Sequence, residues 1–332
     1  MPHLVAAPDK FRGTATAHQA AAAIGAAARA AGWSVDEAPV SDGGEGFRDV
    51  FGGRRHLARV AGPLGEPVEA EWRMLADDRT AVMEMAQASG LMLAGGAEGN
   101  DPVAATTRGT GQMIAEAVKA GAKHVLLGVG GSATTDGGLG ALEALEPHSR
   151  LAGVEIRVAC DVETRFIDAA RIFAPQKGAS ATQVRLLTRR LERLAQLYEE
   201  RYGVDVLDLP GAGAAGGLAG GLAAIGATLA SGINLVAEVL ELADRIEGAD
   251  LVVTGEGFLD EESFHGKAVG GVVSLAEEAG VPVLVVAGDV LDDPPVPYRS
   301  LVACYGLEVA KTDTARCITE VVEEFLQGLG KG

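Results

Sequence analysis

The chain has 332 residues, 48% hydrophobic and 22% charged, which is enough for about two domains with real cores and far from a disordered composition. A formal net charge of −18 repels phosphate backbones and anionic lipid, so neither nucleic acid nor membrane is expected as a partner. The 46 glycines are roughly twice the usual ~7% share and ask for an explanation.

In chain order, MPHLVAAPDK lacks the basic flank and long apolar stretch of a secretory signal, and no later run has the ~18 apolar residues of a membrane span. A cytoplasmic location is expected. The aliphatic run 3–7 reads as a strand buried on both faces, and Thr16 with Gln19 has capping-box spacing ahead of an alanine-rich helix ending at Gly32. Residues 55–85 alternate around the turn Gly62-Pro63-Leu64-Gly65-Glu66-Pro67, which predicts antiparallel β structure. A helix from Thr110 to Gly121 precedes the clearest strand, 124–130. After a strand at 154–159, Ser180 and Gln183 open a long helix with Val184, Leu187, Leu191, Leu194 and Tyr198 on one face. Its Arg185, Arg189, Arg190 and Arg193 read as a solvated face. Strands at 251–254, 283–288 and 301–305 then alternate with helices near 266–280 and 314–329.

This alternation predicts an α/β fold, a doubly wound parallel-sheet domain that binds ligands at the carboxyl ends of its strands. The stretches 55–85 and 151–233 break the pattern and are assigned to a second, smaller inserted α/β domain. The expected boundaries are 1–53 with 106–140 and 234–332 for the first domain, and 54–105 with 141–233 for the second. Cys160, Cys304 and Cys317 are odd in number and lack ligand spacing, so buried free thiols are expected.

Five glycine-bearing polar segments are candidates for chemistry. Ala7-Pro8-Asp9-Lys10-Phe11-Arg12-Gly13-Thr14 joins a strand end to a helix start, where N–H groups, Lys10 and Arg12 suit an anion, although a capped loop explains it equally well. Ser41-Asp42-Gly43-Gly44-Glu45-Gly46 suits a cation-bridged phosphate or a polarised hydroxyl, or is a plain turn. The run 128–138 offers successive N–H groups and the hydroxyls of Ser132, Thr134 and Thr135 as an anion nest, with Asp136 available to magnesium or as a base. Pro210-Gly211-Ala212-Gly213-Ala214-Ala215-Gly216 contains a formal GxGxxG after a poor strand, weak evidence for a dinucleotide, and no P-loop signature is present. Finally, Thr254-Gly255-Glu256-Gly257-Phe258-Leu259-Asp260 is followed by His265-Gly266-Lys267, in which His265 reads first as a residue bonded to backbone near a helix start and second as a base. Between these lie Cys160-Asp161 at a strand end and Lys177 in the turn Pro175-Gln176-Lys177-Gly178.

Taken in order, APDKFRGT, VSDGGEG, GPLGEPVEA, MEMAQASGL, ATTRGTG, GVGGSATTDGG, FAPQKGAS, LPGAGAAGGLAGG, VVTGEGFLD and HGKA resemble the bacterial glycerate kinase family, the two-domain group without a P-loop. The resemblance implies a flavodoxin-like first domain. It also implies ATP-dependent phosphorylation of D-glycerate or a closely related hydroxy acid, with Mg2+, in a cleft between the domains. Phosphoryl transfer asks a protein mainly for alignment and charge neutralisation. On that chemistry, the expected nucleotide-binding residues are Gly130, Gly131, Thr134, Gly211, Gly213, Gly216 and Glu256. Lys10, Arg12 and Ser132 are expected at the substrate, and Lys177 and Lys267 on the transferred charge. Asp42, then Asp9, is expected as the base, and Asp136 or Asp161 as the metal ligand. Similar proteins usually carry a basic residue where this chain has Phe258. A homo-oligomer is compatible with the sequence. The competing reading is a catalytically weakened relative that binds nucleotide or sugar acid as a sensor. Retention of Asp42, Asp136, Asp161, Lys177 and Lys267 together favours the enzyme.

Overall fold

A computed structural model describes residues 1–264, 266–292 and 294–329. The chain folds as two compact units, Met1–Asp42 with Ser231–Gly332, and Gly43–Ala230. The strands in chain order are β1 (His3–Ala6), β2 (Ser34–Glu37), β3 (Arg54–Ala61), β4 (Pro67–Met74), β5 (Thr80–Glu84), β6 (His124–Gly128), β7 (Glu155–Ala159), β8 (Thr228–Ala230), β9 (Leu251–Leu259), β10 (Val283–Val290) and β11 (Tyr298–Ser300).

The first unit is a parallel sheet in the order β11-β10-β9-β1-β2, the doubly wound order of flavodoxin-like domains. Its central strands are aliphatic because helices cover both faces. Leu4, Val253, Leu284 and Val286 pack with Ile24 of the helix Ala17–Ala30 and with Ile318 and Val322 of the helix Thr314–Leu329. The first helix starts where its capping box directs. Gln19 N donates to Thr16 Oγ1 at 3.1 Å, and Thr16 N donates to Gln19 Oε1 at 2.9 Å. The strand order reverses between β1 and β9, and such a switch point opens a crevice at the carboxyl ends.

The second unit holds a mixed sheet, β3-β4-β5-β6-β7-β8, antiparallel through β5 and parallel thereafter. The antiparallel expectation for 55–85 therefore holds, with Val60 opposite Val68 and Trp72 opposite Met83. The helix Ala181–Tyr202 begins at the Ser180 capping box and buries Leu187, Leu191, Leu194 and Tyr198. The Tyr198 hydroxyl donates to Gly137 O at 2.9 Å, which ties this helix to the loop after β6.

Several expectations need correction. β6 is paired on both sides within the second sheet, Val125 standing opposite Ala81 of β5 and Ile156 of β7, so 106–140 belongs to the second unit. An aliphatic strand announces burial on both faces but not which sheet it joins. Residues 43–53 also fall in the second unit and 231–233 in the first, and the second unit is the longer of the two. Residues 301–305 form a helix, Leu301–Tyr305, not a strand. Ser300 Oγ accepts from Ala303 N at 3.2 Å and caps it, while the strand is the preceding β11. Of the free cysteines only Cys317 is buried, Cys160 being intermediate and Cys304 exposed. No helix among the described residues is long and apolar enough to cross a membrane.

Candidate active site

The first unit gathers charge at its switch point. Asp9 N donates to Gly255 O at 2.8 Å and Thr254 Oγ1 donates to Ala7 O at 2.8 Å, so the loop leaving β1 is sewn to the end of β9. Gly257 permits this approach, because a Cβ there would stand 2.9 Å from Arg12 N. The result is a cavity of about 550 Å3 lined by Asp9, Lys10, Arg12, Asp42, Glu256 and Lys267, with Phe258 and Leu307 on an apolar side. That volume is ordinary for a small-molecule site.

The charges are not equivalent. Lys10 Nζ lies 3.4 Å from Asp9 Oδ2 and 3.5 Å from Asp42 Oδ1, and Lys10 N donates to Asp9 Oδ1 at 2.6 Å. Burial works to lower the Lys10 ammonium, but the charges of Asp9 and Asp42 hold it above its ordinary value. Burial pushes the Asp9 carboxyl up to about 6 against the pull of Lys10. Glu256 is pushed up to about 7, chiefly by burial, with Asp9 and Asp42 adding to the rise while Ser263 and Lys267 oppose it. Lys267 leans on Glu262 at 3.2 Å and Asp260 at 4.0 Å. His265 lies outside the described residues.

The second unit presents a buried lysine beneath the loop after β6. Lys177, 3% exposed, donates through Nζ to Thr134 O at 2.6 Å and Ser132 Oγ at 3.2 Å. Burial brings its ammonium down to about 7, with the Asp136 charge opposing. Asn100 fixes the arrangement, its Nδ2 donating to Ala133 O at 3.0 Å and Lys177 O at 2.9 Å. Ala133 N is spent on Ser89 O and Thr134 N on Ser132 Oγ, while Gly130 is half-buried and Gly131 exposed with φ +71°. Lys177 thus holds the loop from beneath, with Gly131 the loop residue open to solvent.

Two groups of expected residues have other work. Gly211, Gly213 and Gly216 are buried glycines in close backbone packing. Gly213 N donates to Thr164 O, and a Cβ on Gly216 would strike Thr134 O. Asp136 is saturated as a structural carboxylate. Thr107 N at 2.8 Å, Thr107 Oγ1 at 2.9 Å, Gly138 N at 3.0 Å, Thr106 Oγ1 at 3.3 Å and Gly140 N at 3.3 Å all donate to it, so few lone pairs are left for a metal. Asp161 is exposed after β7, and no group of three His, Cys, Asp or Glu able to hold a metal occurs among the described residues.

Sequence reasoning missed Asn100, which no motif marks, and Asp289, which lines the cavity, and it named Asp260 only within the segment 254–260 without a role. Asp289 belongs to β10 near its carboxyl end, so the rule that ligands meet parallel sheets there is the signal that finds it.

A doubly wound domain with cations and carboxylates at its switch point, and a second α/β unit with a buried lysine under a glycine loop, define an enzyme that handles small anions. A family model for the glycerate kinase family matches residues 4–148 and 146–328. The chain is 39% identical to "Glycerate 2-kinase" of Escherichia coli (strain K12), over 89% of this chain and 87% of that protein. It is 38% identical to "Glycerate kinase" of Halalkalibacterium halodurans, over 87% of this chain and 86% of that one. A crystal structure from Salmonella typhimurium LT2, of a protein assigned as glycerate kinase 2, superposes with a TM-score of 0.87 at 33% identity, covering 100% of this chain and 99% of that one. The chain belongs to the glycerate kinase family and is a kinase.

Proposed function

We propose that the protein transfers the γ-phosphoryl group of ATP to D-glycerate, at the 2-hydroxyl that the name of the Escherichia coli relative specifies. The observation that carries this reading is the switch-point cavity, in which Lys10 and Arg12 supply charge for a carboxylate while Asp9, Asp42 and Glu256 supply proton acceptors beside it. Glycerate needs both, a cation for its acid group and a base for its hydroxyl.

In the second unit, Lys177 and Ser132 with Gly130, Gly131 and Thr134 are the residues proposed for phosphate oxygens; in the first, Lys267 lines the cavity and is proposed to add charge stabilisation there. A lysine held in a dry site is worth more to developing negative charge than one in water. Mg2+ needs few protein ligands in kinases because phosphates and water complete its shell, which suits the exposed carboxylate of Asp161. When bound, the ion would neutralise β- and γ-phosphate oxygens. The net charge of −18 supports small-molecule substrates over nucleic acid, and the protein is read as cytoplasmic.

The test is ADP release from ATP and Mg2+ with D-glycerate, run beside L-glycerate, glycolate and lactate. D-Glycerate should give the highest kcat/KM. ATP binding without ADP release for any acceptor would leave the non-catalytic sensor in its place.

A further inference from the structure

Asp9 and Asp42, expected as the base, and Glu256, expected at the nucleotide, all line this cavity and differ in what already holds them. Asp9 and Asp42 share Lys10, and Asp9 Oδ1 also accepts the Lys10 amide at 2.6 Å. Moving a proton onto either would strip the largely buried ammonium of part of its counter-charge. Glu256, on β9 beside the switch point, has neither tie. It forms no ion pair among the described residues, and its Oε1 is buried without a hydrogen-bond partner. The nearby cation, Lys267, pairs with Glu262 and Asp260, and the Ser263 hydroxyl, which donates to Asp260 Oδ1 at 3.2 Å, is the one neutral side chain that also favours the Glu256 carboxylate.

We propose that Glu256, and not Asp42 or Asp9, is the general base that takes the proton from the acceptor hydroxyl. This rests on the reading that the cavity receives the hydroxy acid. As the hydroxyl oxygen bonds to the γ-phosphorus, the electron pair of its O–H bond stays on oxygen and the proton passes to a carboxylate oxygen of Glu256. The bond between the γ-phosphorus and the bridging oxygen breaks, and its electrons leave with ADP. The product is phosphoglycerate and Glu256 ends as a carboxylic acid, which returns its proton to solvent before the next turnover. Other charged groups lining the cavity are Asp9, Lys10 and Arg12 after β1, Asp42, Asp260 and Lys267 after β9, Asp289 of β10 and Lys311. Of these, Asp9 and Asp42 raise the proton affinity of Glu256 and Lys267 lowers it. Burial dominates and sets it to about 7, where a base accepts a proton readily yet is regenerated at neutral pH.

The experiment compares wild type, Glu256→Gln, Glu256→Asp and Asp42→Asn by ADP release with ATP, Mg2+ and D-glycerate from pH 5 to 9. For wild type, kcat/KM should fall as pH drops below about 7. Glu256→Gln should lower kcat by ~10²–10⁴-fold, leave the glycerate KM within ~3-fold, and abolish that limb. Glu256→Asp should keep a limb and part of the rate, which covers the case of a glutamine variant that folds poorly. Asp42→Asn should act mainly through KM and retain the limb. A limb that survives in Glu256→Gln, or vanishes in Asp42→Asn, overturns the assignment while leaving the kinase intact. A wild type inactive toward every hydroxy acid overturns both.

Discussion

Replacing Lys177 by methionine keeps the apolar stem and removes the charge. Burial brings this ammonium from its ordinary 10.5 to about 7, and at ~1.36 kcal/mol per pKa unit the folded protein forgoes about 5 kcal/mol to keep it protonated. Because the folded value is depressed, the unfolded chain binds the extra proton between about 7 and 10.5, so wild-type stability rises with pH across that window and is flat below it. Methionine escapes the penalty but leaves Thr134 O and Ser132 Oγ without their donor, at ~1–3 kcal/mol each. At pH 6 the variant should therefore lie between ~1 kcal/mol below wild type and ~3 kcal/mol above it, and its standing against wild type should worsen by ~3 kcal/mol between pH 7 and 9. Turnover should nonetheless fall ~10²–10³-fold, the usual loss when a transition-state donor is removed. Thermal unfolding at pH 6 and 9, with ADP release on the same preparations, reads both quantities. If the variant is several kcal/mol less stable at pH 6 and loses activity only in proportion to its folded fraction, Lys177 is a structural residue.

Three further outcomes are expected. Gly216→Ala places a side chain at φ +68° against the Thr134 carbonyl, and urea unfolding should show a loss of ~3 kcal/mol from left-handed strain and forced backbone shift together. Lys10→Met should raise the glycerate KM by more than ~10-fold with a smaller change in kcat, the signature of lost ground-state binding to the acceptor; an unchanged KM places the carboxylate elsewhere. For Glu256→Gln, the folded value of about 7 against an ordinary 4.5 means the folded state binds the extra proton in that interval, so wild-type stability falls as pH rises through it. The glutamine variant should thus be up to ~3 kcal/mol more stable than wild type at pH 8 and gain nothing below pH 4.5, as read by thermal melts.

Much of the first unit was legible because its signals are local. The aliphatic strand 3–7, the Thr16 capping box and the helices near 268–279 and 314–329 each follow from neighbouring residues alone. Two things were not legible, for physical reasons. The partner of β6 is set by tertiary pairing, since a strand buried on both faces carries no sidedness, and 106–140 was therefore assigned to the wrong unit. Glycine, too, looks alike whether it admits a ligand or another backbone. Gly131 is open to solvent in its loop, whereas Gly213 and Gly216 exist because Arg165 and Thr134 leave no room for a Cβ. A good part of the glycine surplus is thus close packing rather than ligand approach. Asp136 shows the same limit, because a sequence names a carboxylate but not the five donors that bond to it.

Phosphorus NMR of the purified protein with ATP, Mg2+ and D-glycerate follows the transferred atom itself. The prediction is a new phosphomonoester resonance growing in step with ADP, split into a doublet by the single proton on carbon 2 of glycerate. ADP accompanied only by inorganic phosphate, or no ADP at all, would contradict the assignment of this chain as a glycerate-phosphorylating enzyme.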